Sequence, residues 1–158
     1  MKTVNVESKT AHQCFTHQFE NNQTGYVKAM NWFSRLRPSA IDEGLWTSCI
    51  TALGEAFENA VYHGQTTLET ATPTSVVVNI TDEMIQIRVW DSGPGFNLEQ
   101  YMRDLPESVP LLAEKGRGLW IIKQIADHLS YSKTANQLNC LTIQKFLKVS
   151  DELEASVL

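Results

Sequence analysis

Glu55 and Asn59 stand four residues apart in a stretch of helical periodicity, so their side chains are neighbours on one helix face. A carboxylate there is placed to take a proton from an attacking hydroxyl or water. A carboxamide one turn later offers its oxygen to a hard cation such as Mg2+, which needs few protein ligands. Further on, Val89-Trp90-Asp91-Ser92-Gly93-Pro94-Gly95-Phe96 sets Asp91 at the end of a strand, ahead of two glycines. A carboxylate so placed accepts from an exocyclic amine, and the bare backbone of Gly93 and Gly95 lets a flat ring approach. A third box, Lys115-Gly116-Arg117-Gly118-Leu119, opens a helix whose first N–H groups and dipole favour an anion. Arg117 or Lys115 is the candidate to add a charge contact there. Any one of these is ordinary: a solvated helix face, a Gly-Pro-Gly turn, a loop end. All three in order make a signature.

The elements that must hold these residues can be read from periodicity. Leu45 to His63 is the organising helix, with Trp46, Cys49, Ile50, Leu53, Phe57, Ala60 and Val61 on one apolar face. Ser48, Thr51, Glu55, Asn59 and Tyr62 fall opposite, and Glu58 reads as a solvated neighbour of the pair. Ser39 or Asp42 caps this helix. Gly54 inside it costs about 1 kcal/mol relative to Ala, which its missing side chain repays if another element approaches closely there. Val76, Val77, Val78 and Ile80 mark a strand over 75–81, Asp82-Glu83 a turn, and Met84 to Trp90 the second arm of a hairpin. Leu119 to Leu129 has helical spacing, and segments 129–133 and 139–149 form a closing hairpin.

The remaining stretches frame these. His12 to Phe19 alternates as a first strand, Asn21 to Gly25 breaks it, and Tyr26 to Leu36 is a helix stopped by Pro38. Gln65 to Thr74 is a polar linker. Asn97 to Lys115 lacks strong periodicity and reads as a lid. The expected organisation is one domain over residues 1–158, with a core of about 10–149 and loose tails at 1–9 and 150–158.

Composition narrows the classes. The formal net charge of −5 argues against binding a phosphate backbone, which needs clustered Lys and Arg. No long uncharged apolar run suggests a membrane span, and the first residues lack an apolar signal-peptide core. Cys14, Cys49 and Cys140, odd in number and widely spaced, read as reduced thiols of a cytoplasmic protein.

From about Met30 to Leu147, the ordered set E-x-x-x-N, D-x-G-x-G-F and G-x-G-L resembles the GHKL (Bergerat-fold) ATPases. Within them it resembles the RsbW-like anti-sigma factor serine/threonine kinases, and the run from Gly116 to Tyr131 looks like that single-domain branch. The resemblance implies an α+β two-layer sandwich, a mixed sheet covered on one face by helices, with ATP held between sheet edge, helices and lid. It implies that Asp91 holds the adenine amine beside Gly93 and Gly95, and that Lys115, Gly116, Arg117, Gly118 and Leu119 receive the triphosphate. Asn59 is then the Mg2+ ligand and Glu55 the base. Relatives often carry Gly-Thr at the start of the last strand, where this chain has Leu138-Asn139-Cys140-Leu141-Thr142. Asn139 and Thr142 are the candidates to replace that threonine's contact.

The activity implied is phosphoryl transfer from ATP to a Ser or Thr of an anti-anti-sigma (STAS-type) protein, alternating with sequestration of a sigma factor. A homodimer is a candidate assembly; direct nucleic-acid and membrane binding are not expected. The alternative is an ATP-binding interaction module with little catalysis, against which Glu55 argues, since binding alone requires no base. A detached histidine-kinase catalytic domain would want a His-bearing helix pair, and gyrase or chaperone relatives a longer chain.

Overall fold

The structure, a computed structural model, describes residues 12–64, 72–105, 107, 108 and 116–148. The two loose tails, residues 65–71 of the polar linker, and residues 106 and 109–115 of the expected lid lie outside the described residues. The elements run β1 (Gln13–Phe19), α1 (Gln23–Ser34), α2 (Glu43–Gly64), β2 (Thr74–Ile80), β3 (Met84–Asp91), α3 (Leu98–Asp104), α4 (Arg117–Ile125), β4 (His128–Lys133) and β5 (Asn139–Phe146). They form the expected two-layer α+β architecture: one five-stranded sheet in the order β1-β2-β3-β5-β4, with α1, α2 and α4 packed on one face.

The sheet is antiparallel at every pairing rather than mixed. The passage from β3 through α3 and α4 brings β4 in parallel to β3, but the β4–β5 hairpin folds β5 back between them. No parallel ladder therefore forms among the described residues.

The organising helix is present and two residues longer at its start. Asp42, not Ser39, caps it: the Leu45 N–H donates to Asp42 Oδ2 at 3.0 Å. Trp46, Cys49, Leu53, Phe57 and Ala60 are buried, as the wheel predicts, while Ile50 and Val61 are only half-buried. Ala52 and Ala56 are buried as well, because α1 and α4 flank α2 and widen its buried arc beyond the sheet-facing stripe. Phe33 of α1 stacks on Trp46 with ring centroids 4.4 Å apart. At Gly54 an added Cβ would lie 3.1 Å from Tyr26 Oη, so α1 does make the close approach expected there.

Three boundaries differ from the sequence reading. Helix α1 starts at Gln23, within the expected break, because Asn22 caps it by accepting from the Gly25 N–H at 2.9 Å. Helix α4 ends at Ile125, since Ala126 is already extended and β4 begins at His128. Residues 98–104, read as part of an aperiodic lid, form α3, with Asn97 as its cap and no buried residue. Among the described residues, no helix is long and apolar enough to cross a membrane.

Candidate functional site

Strand alternation decides which side chains meet under α2. In register, Asp91 stands opposite Asn139, Val89 opposite Leu141, and Tyr131 opposite Leu141 on its other side. Directly opposed residues share a sheet face. These five therefore face the helix layer. Together with Ala56, Asn59 and Ala60 of α2, and with Phe96, the residues Val89, Asp91, Tyr131 and Leu141 line one cleft. It has apolar walls and a carboxylate at its end.

Asp91 is held tightly. Its Oδ1 accepts from the Gly93 N–H at 2.8 Å and from Asn139 Nδ2 at 3.0 Å. The same Asn139 amide also donates to the Gly93 carbonyl at 2.8 Å, and Asn139 is fully buried. Gly95 must be bare: its φ is +77°, and an added Cβ would sit 2.8 Å from Asn139 Oδ1. Of the two candidates for the missing threonine, Asn139 is thus the one beside Asp91. Thr142 is not, and this corrects its placement among the binding residues. It pairs with Arg88 and Ser130 on the opposite face of the sheet, one residue out of phase with Leu141 and Ile143.

At the other end of the cleft, α2 meets α4. Gly118 lies against the Glu55–Asn59 pair: a Cβ there would be 2.8 Å from Glu55 Oε2 and 3.7 Å from Asn59 Oδ1. The three boxes of the sequence therefore converge in space. Gly116 caps α4 at φ +84° and, as a glycine, has no side chain to bond to the helix end. The first N–H groups of a helix are the ones that face an anion placed there. Leu119 is buried in the core beneath, and Arg117 is the exposed first residue of α4. Tyr101 of α3 closes over this turn, its hydroxyl 2.7 Å from where a Gly116 Cβ would stand. Lys115 lies outside the described residues. Glu58 is exposed, as read.

Electrostatics suit Glu55 to base chemistry. Burial pushes its carboxyl above the usual carboxylate range, Glu58 pushes the same way, and Arg117 opposes them. The folded state thus holds the Glu55 proton more tightly than the unfolded chain does. That contribution to stability is present at acid pH and is lost as pH rises through the raised value. Glu55→Gln is accordingly expected to melt higher than the parent near neutral pH, with the gap closing in acid. Melting curves at about pH 4 and about pH 8 check this, and an equal gap at both would contradict it.

Sequence reasoning gave no role to Tyr101 or Tyr131, and quoted Phe96 only as part of a box. The alternation of Leu129 and Tyr131 in a half-buried edge strand was the available signal for Tyr131.

An amine acceptor at the end of an apolar cleft and a glycine-capped helix N-terminus beside a carboxylate–carboxamide pair fit a purine nucleoside triphosphate. Asn59 Nδ2 adds to the fit, being buried with no hydrogen-bond partner among the described residues. The family model of the histidine kinase-like ATPase domain matches residues 19–145, and the chain belongs to this family. That membership makes it an ATP-binding domain of the GHKL type. No curated protein matches the chain.

Proposed function

We propose that the chain is an ATP-dependent serine/threonine protein kinase and anti-sigma factor, which phosphorylates an anti-anti-sigma protein of the STAS type and otherwise sequesters a sigma factor. The observation that supports it best is Glu55 standing with Asn59 against Gly118, a base beside the turn that would receive the phosphates. In the reaction, a Ser or Thr oxygen of the partner bonds to the γ-phosphorus as the bridging P–O bond to ADP breaks. Glu55 takes the hydroxyl proton. The N–H groups at the start of α4 and the Arg117 guanidinium hold the phosphate oxygens in line. Asn59 would hold Mg2+, which when bound supplies charge neutralisation to the phosphates.

Partner switching needs one surface that two partners compete for, with nucleotide state biasing the choice. The same chemistry run on water would make the chain a slow ATPase, so the partner assay decides. Incubation with γ-labelled ATP and candidate STAS proteins should label a partner Ser or Thr. Tight ATP binding without transfer to any of them would leave the interaction module as the better reading.

A further inference from the structure

Asp91 by itself does not settle which purine enters the cleft. A carboxylate accepts from the N6 amine of adenine, and it accepts equally from the N1–H and N2 amine of guanine if the ring slides along the wall. Selectivity requires a second group, one that donates where adenine has a bare ring nitrogen and guanine has an N–H.

Tyr131 is placed to be that group. It lines the cleft with Asp91, and its ring packs on Phe96 at 4.4 Å between centroids with a tilt of 34°. Its hydroxyl reaches the glycine turn, 3.3 Å from where a Gly95 Cβ would stand. The Phe96 backbone N–H donates to the phenol oxygen, so the O–H proton is what remains for a ligand. Burial first, and the Asp91 carboxylate second, push the phenol up to about 12, so that proton stays in place at neutral pH. Asp91 is complementary: its Oδ1 takes both protein donors, and Oδ2 takes none among the described residues.

We propose that Tyr131 is a specificity-determining residue of the base pocket, its hydroxyl donating to adenine N1 while Asp91 accepts from the N6 amine. This rests on the reading of the cleft as the base pocket. An acceptor beside a donor matches adenine, whose amine adjoins a bare nitrogen. Guanine presents the reverse at those two positions: its carbonyl meets the Asp91 carboxylate acceptor to acceptor, and its N–H can be met by the phenol only if the O–H turns away and loses its own acceptor. The ring itself supplies a wall with Phe96, so the hydroxyl can be removed without removing the wall.

The test compares the parent and Tyr131→Phe for affinity toward ATP, GTP and 1-deaza-ATP, in which a C–H replaces N1. In the parent, 1-deaza-ATP should bind roughly tenfold more weakly than ATP, the worth of one hydrogen bond at a partly buried site. Tyr131→Phe should lose the same factor for ATP and nothing more for 1-deaza-ATP, and its preference for ATP over GTP should narrow to match. The proposal is overturned if the parent binds ATP and 1-deaza-ATP equally, an arm that needs no variant to fold. It is overturned also if both proteins lose equally when N1 is removed. A parent that binds no ATP at all instead overturns the reading of the cleft, and the proposal with it.

Discussion

Replacing Glu55 by Gln should lower phosphoryl transfer by about 10²–10⁴-fold, the usual worth of general acid–base help. Gln keeps the size and the hydrogen bonding of Glu but has no free carboxylate to take a proton. The position is specific: the carboxylate sits against the Gly118 turn, where α4 packs on α2. Its partial burial raises its proton affinity above that of a free carboxylate, which makes it a better base while ionised. Positioning and charge neutralisation carry most phosphoryl transfer, so a loss at the low end of the range is consistent. Nucleotide binding should survive and tighten slightly, because one negative charge near the triphosphate is gone. Asn59→Ala should do the reverse, weakening Mg-dependent binding before it touches chemistry. Rates of labelled-phosphate transfer and ATP affinities for both variants separate these roles. A Glu55→Gln protein that turns over at the parent rate would remove Glu55 from the mechanism.

How much of this was legible beforehand depended on whether a feature is carried by the local chain or by the fold. Helix α2 was readable because its apolar residues repeat at helical spacing for more than four turns, and one face packs on the sheet. The β2–β3 hairpin was readable because Val76, Val78, Ile85 and Ile87 alternate toward the core. Helix α3 was not, since it buries nothing and leaves no apolar stripe; its signal lies in the Asn97 cap, Glu99 in the first turn and Arg103 in the last. The end of α4 was misread because Ile125, Ala126 and Leu129 continue the helical spacing across a chain that has already turned into β4.

The site divides the same way. The spacing of Glu55 and Asn59 shows on one helix, but their meeting with Gly118 is tertiary, set by how α4 crosses α2. Asn139 and Thr142 were indistinguishable in sequence, since a strand's phase relative to a distant Asp91 depends on register. Once Asp91 pairs with Asn139, alternation sends Thr142 to the far face.

That register also determines what happens when Asp91 becomes Asn. Free in solution, a carboxamide can present either its oxygen or its amine to a base. Here the Gly93 N–H and the Asn139 amine both point at the Oδ1 position, and two donors there demand an oxygen. The new amine must then occupy the Oδ2 position and face the cleft, where the N6 amine of adenine also points. Donor meets donor. The loss comprises one charge-assisted hydrogen bond and two amines left without an acceptor, so ATP affinity should fall roughly 10²-fold. GTP suffers less, because its O6 carbonyl can accept from the new amine, and the preference for ATP should therefore collapse. The lock on the Gly93 turn is retained, so Asp91→Asn should melt close to the parent. Asp91→Ala, which cannot hold that turn, should bind both nucleotides poorly. Parallel titrations of parent and both variants with ATP and GTP give the answer. If Asp91→Asn keeps the parent's ratio of ATP to GTP affinity, the Asp91 carboxylate does not read the base, and the cleft it closes is not where the purine sits.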